Sequence, residues 1–124
     1  MGWAPPLEWS LEPPGLVSTF LPTAADCGRP GFLHGGLAAT LLDETMAALS
    51  WATRREHSVT ATLSLRYRIP VPVDDGPLRM EAWYADSRPR RVREVHGRLL
   101  LRDGTAAVEA TGLFVRVAAE AGDE

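Results

Sequence analysis

Apolar residues recur three and four positions apart between Leu37 and Leu49, and the pattern changes to alternation after Ser58. Placed at about 100° per residue, Leu37, Ala38, Leu41, Leu42, Thr45, Ala48 and Leu49 make one broad face of a helix predicted from Gly36 to Ala52. Gly36, Ala39, Thr40, Asp43, Ala47 and Ser50 make the other face, which is narrow and built mostly of small side chains. Charges are nearly absent before Arg54, so the helix is expected to be buried on most sides.

After the helix, Val59, Ala61, Leu63, Leu65, Tyr67 and Ile69 alternate with Thr60, Thr62, Ser64, Arg66 and Arg68, the period of a strand. Further strands are predicted from Leu16 to Leu21, Leu78 to Ala85, Val92 to Arg102 and Thr105 to Val117, with turns at Asp74 to Pro77 and Asp103-Gly104. Pro5, Pro6, Pro13 and Pro14 predict an irregular lead-in over residues 1–14, with Trp3 and Trp9 packed against the domain. Residues 118–124 read as a frayed tail. One strand, one buried helix and four more strands make a single α+β domain over residues 1–124. The economical arrangement is a curved antiparallel sheet of about five to six strands around one long central helix.

Composition narrows the function. The chain has 124 residues, 45% of them hydrophobic, and a net charge of −3, which excludes a disordered chain and argues against general nucleic-acid binding. All 13 basic residues are arginine. Cys27 is the only cysteine, so no internal disulfide forms, and the chain reads as cytoplasmic. No signal-peptide pattern and no run long enough to span a membrane is expected.

The chemistry concentrates in "HGGLAATLLD", His34 to Asp43. Gly35 and Gly36 stand where a helix begins, and there the first N–H groups lack intrahelical partners. The Gly35 N–H can polarise a carbonyl and hold an oxyanion; equally, the glycines can serve a plain helix-entry turn. Asp43 interrupts an apolar helix, and its neighbours Ala39, Thr40, Ala47 and Ser50 are too small to cover it. It is either paired at an interface or open to a cavity as a general base or nucleophile. Glu44 lies about 100° away and reads as a polar edge residue. Gly35 and Asp43 are eight residues apart, or about 12 Å along a helix. One subunit therefore cannot readily bring both groups to one reacting centre, whereas two antiparallel helices from a homodimer can.

"GRPGFLHGGLAATLLDE", "TATLSLRYRIPVPVDDGPL" and "GTAAVEATGLFVRV" together resemble hotdog-fold acyl-CoA thioesterases of the PaaI and THEM type, over roughly Gly28 to Val117. The resemblance implies a hotdog fold, a homodimer that pairs into a dimer of dimers, and hydrolysis of an acyl-CoA thioester without metal or redox cofactor. By position, Asp43 matches the catalytic carboxylate and Gly35 the carbonyl-polarising N–H. His34 matches the motif histidine, and Thr60 stands where related enzymes carry an assisting Ser or Thr. Where some members carry Asn or Gln near the thioester, six positions before the histidine, this chain has Gly28. The alternation also sets Thr60 opposite the apolar face of its strand.

Among the remaining candidates, Gly36 and the arginines Arg90 and Arg91, in the cluster with Arg88 and Arg93, are expected to bind substrate, the arginines through coenzyme A phosphates. A solvated strand end is the plainer reading of that cluster. His57 and His96 have no ligand-like spacing with His34, so no metal site is expected. A hotdog enoyl-thioester hydratase or dehydratase, and a non-catalytic acyl-CoA-binding protein, are the rival functions.

Overall fold

The computed structural model describes residues 5–118. In chain order these form β1 (Glu8–Glu12), β2 (Gly15–Phe20), one 3-10 turn (Ala24–Asp26), α1 (Gly35–Arg54), β3 (His57–Tyr67), β4 (Leu78–Tyr84), β5 (Val92–Leu100) and β6 (Ala106–Val117). The six strands make a single antiparallel sheet in the order β1-β2-β4-β5-β6-β3. Helix α1 packs on one face of it and touches β2 through β6, which is the hotdog arrangement.

The packing follows from the two periodicities. Leu41, Leu42, Met46 and Leu49 of α1 are fully buried against Leu16, Met80, Val95, Leu99, Val108 and Phe114 of the sheet. Each such side chain contributes about 1.5–3 kcal/mol relative to exposure. Two hydroxyls sit inside this core. Thr45 Oγ1–H donates to the Leu41 carbonyl at 2.8 Å, so the 2.6 Å contact between Ser18 and Thr45 is donated by Ser18. Both groups are thus satisfied. The helix begins at His34 as N-cap and stops at Arg55, whose φ of 55° is left-handed; the Arg55 N–H reaches the Trp51 carbonyl and the Glu56 N–H the Ser50 carbonyl.

Three expectations are corrected. The lead-in is not irregular throughout, because Glu8–Glu12 forms an edge strand paired with β2. Its prolines lie in the flanks and in the β1–β2 turn, so none removes a ladder donor from within the strand. Trp9 is not packed but 45% exposed, since α1 does not reach over β1. Thr60 does not face away from the helix, for a reason given below. The helix also runs one residue earlier and two later than predicted, and β3 ends at Tyr67, before Pro70. Trp3 and residues 119–124 lie outside the described residues.

Candidate active site

The helix entry is built by His34. Its side chain accepts a hydrogen bond from the Gly36 N–H at Nδ1, 2.8 Å away, so the ring does what an Asn or Asp oxygen does at an N-cap. With Nδ1 as acceptor, a neutral ring carries its proton on Nε2. The geometry favours glycine at position 36, where an added Cβ would stand 3.0 Å from the imidazole and push it aside. At Gly28, a Cβ would stand 3.3 Å from the His34 backbone. That residue lets the 28–33 loop close onto the histidine.

The Gly36 N–H is therefore occupied, whereas the Gly35 N–H has no acceptor among the described residues. Tyr67 was not singled out in the sequence, yet it completes the entry. Its hydroxyl donates to the Gly35 carbonyl at 2.7 Å, and its ring lies 3.7 Å from where a Gly35 Cβ would be. A polar aromatic inside an alternating strand was the available signal. Beside this entry lies an open cavity of about 480 Å³, lined by Phe32, Leu33, Tyr67, Ile69 and Val71 with Arg29 and Arg68 at its edge.

Asp43 lies two turns further along α1, half-buried. The hydroxyl of Thr60 donates to its Oδ1 at 2.7 Å. No arginine pairs with it among the described residues. A β-bulge brings Thr60 there. The β3–β6 register shifts between Thr60 and Thr62, so Ala61 is an extra residue in the ladder. Thr60 consequently pairs with buried Phe114 on the helix-facing side, while Leu63 and Leu65 face the same side past the bulge. Ser58 follows suit, donating to the Ala47 carbonyl at 3.2 Å.

The site residues thus fall into two groups on one helix. His34, Gly35, Gly36 and Tyr67 stand at its start, and Asp43 and Thr60 stand about 12 Å further along. Arg90 and Arg91 are exposed and border a third place, a small cavity near Ser50 and Ser58 toward the C-terminal end of α1. Among the described residues no cluster of three His, Cys, Asp or Glu side chains could hold a metal ion. No helix there is long and apolar enough to cross a membrane.

Comparison with known proteins agrees with this architecture. The model of the thioesterase superfamily matches residues 30–92. A solved thioesterase superfamily protein is 33% identical with a TM-score of 0.77 over 90% of this chain, which spans only 57% of that relative's length. A phenylacetic acid degradation-related protein from Ralstonia eutropha JMP134 is 31% identical, with a TM-score of 0.70 over 82% of this chain and 75% of its own. A Streptococcus mutans UA159 protein bound to acetyl CoA shares the fold at a TM-score of 0.83, with 19% identity over 95% of this chain and 94% of its own. No curated protein matches the chain.

Proposed function

The chain belongs to the thioesterase superfamily, and from that premise we propose that it hydrolyses an acyl-CoA thioester in a site shared by two copies. The observation that carries the reading is Asp43: among the described residues it is a half-buried carboxylate held by one hydroxyl and matched by no cation, on a helix whose first N–H is free. Such a group is poorly explained as structural pairing. The Gly35 N–H of one copy polarises the thioester carbonyl. Asp43 of the other takes a proton from water as its oxygen adds to that carbon, or attacks the carbon itself to give a mixed anhydride that water then opens. The carbon–sulfur bond breaks, the thiolate takes up a proton, and the products are a carboxylic acid and free coenzyme A. Thr60 holds Oδ1 and leaves Oδ2 to do the work.

Pairing is supported by the exposed edge of β3, 11 residues long and free of proline, a form that monomers rarely leave uncovered. On the outer face of the sheet, Val59, Val92 and Leu113 are exposed near one another and could carry a further contact into a dimer of dimers. Coenzyme A recognition is supported by the acetyl CoA in the Streptococcus mutans protein. The open cavity beside Gly35, with Arg29 and Arg68 at its edge, suits the long, outward-running coenzyme arm. Arg90 and Arg91 belong to the other end of the substrate. The hydratase alternative is weakened because His34 Nδ1 is already spent on the helix cap.

Subunit complementation tests the shared site. Gly35 is the first helical residue, where proline fits, and His34 has ψ 130°, as a residue before proline requires. Gly35→Pro should therefore delete the N–H while keeping the helix, and lower thiol release by roughly 100- to 1,000-fold. Asp43→Asn should lower it by at least about 100-fold. Refolding the two variants together should restore roughly a quarter of wild-type activity, because half the dimers are mixed and each has one intact site. Failure of the mixture to recover, with both variants folded, rejects the shared site; near-normal turnover by Asp43→Asn rejects its chemistry.

A further inference from the structure

Arg93 lies on the core-facing side of β5, paired with Phe114 and next in that row to buried Val95. It is nine-tenths buried, yet no carboxylate pairs with it among the described residues. Its guanidinium stacks 3.3 Å over the Tyr84 ring, and one amine donates to the Asp86 carbonyl at 2.9 Å. The other amine, Nη1, is fully buried with no partner among the described residues. A buried cation with unused donors is costly unless an anion completes it. Arg93 lines the small cavity noted above, whose wall is largely apolar, with Met46, Tyr84, Val95 and Phe114. Arg90, Arg91 and Arg116 also border it, against a single acid, Glu56, which already faces Arg116 at 3.5 Å.

We propose that this cavity receives a carboxylate at the far end of the acyl group, so that the preferred substrates are thioesters of dicarboxylic acids. The inference rests on the thioesterase reading and deepens it. Met46 and Ser50 line the cavity three and seven residues after Asp43, so it begins one helical turn from the carboxylate and ends about 10 Å away. An acyl chain whose carbonyl sits at Asp43 is within reach of Arg93. The free space, about 20 Å³, has room for a single oxygen-sized group. It is too small for a phosphate, and it takes a carboxylate tip only as its lining gives way. Met46 stands between Asp43 and the cavity, and its unbranched thioether can yield to the chain behind that tip. The larger open cavity beside the partner copy's helix entry is then left for the coenzyme.

The test compares suberyl-CoA with octanoyl-CoA, which have the same chain length and differ in a terminal carboxylate. Wild-type kcat/KM should favour suberyl-CoA by roughly tenfold or more, the worth of one charged hydrogen bond, and Arg93→Met should bring the ratio to one or below. A wild-type ratio of one or less overturns the proposal without any variant and leaves the thioesterase reading standing. If neither is cleaved but phenylacetyl-CoA is, the proposal falls; if none of the three is cleaved, the thioesterase reading fails, and calorimetry with the free acids decides the cavity. Tighter binding of suberate than octanoate, lost in Arg93→Met, sustains it; equal binding means that Nη1 is completed by an ordered water, and the proposal falls.

Discussion

His34 sits at a position where a histidine invites catalytic interpretation, but its Nδ1 is engaged by the Gly36 N–H. Its measurable work is to cap the helix that aims Gly35. His34→Ala should lose about 1 kcal/mol of stability, roughly 3–6 °C in Tm, and also lower activity. His34→Asn keeps a side-chain acceptor and should recover most of the stability. If Asn restores stability and turnover together, the histidine is a positioning residue. If it restores stability alone, the imidazole has a second task at the thioester. Asp43 could be singled out from sequence because a carboxylate between alanines has few structural excuses. Tyr67 and Arg93 left only a faint signal, since each looks like an ordinary strand residue until its neighbours are known. Arg93 stood in phase with Val95, Gly97 and Leu99, and that phase was the overlooked signal.

At the scale of elements, α1 and strands β2 to β6 were readable because each carries one clear period. What escaped was the interruption of a period. Alternation assigned Thr60 to the outer face, and the extra Ala61 returned it to the inner one. Nothing in "VTATL" marks Ala61 as surplus, because its side chain is small enough to suit either face. Deleting Ala61 should regularise the ladder while leaving Thr60 opposite Phe114, so the direct probe of the hydroxyl is Thr60→Val. Turnover should fall by about 100-fold or more if Asp43 needs that hydroxyl, while the circular dichroism spectrum stays that of a folded sheet. Unchanged turnover in the folded Thr60→Val variant would remove Thr60 from the mechanism. The β5–β6 hairpin offers a separate check. The Thr105 hydroxyl and then its backbone N–H, 2.9 Å from Oδ1, hold the Asp103 carboxyl below the usual carboxylate range. Asp103 thus helps the folded state at neutral pH, and that help is lost as pH falls through the lowered value. Thr105→Val should move the Asp103 titration upward, as followed by the carboxyl carbon chemical shift.

For the whole molecule, the lead-in prolines misled because proline argues against a central strand and says little about an edge. The proposed association of two copies rests, in the sequence, on a distance alone: two useful groups too far apart on one helix. That separation has a thermodynamic corollary. If a substrate must grip two polypeptides at once, ligand occupancy and subunit association are linked and reciprocal. A non-cleavable thioester analogue should then act as a staple, slowing exchange of labelled subunits and lowering the concentration at which dimers dissociate. Dilution should in turn weaken the analogue's grip by the same factor, so that a titration repeated at several protein concentrations measures one coupling from both sides.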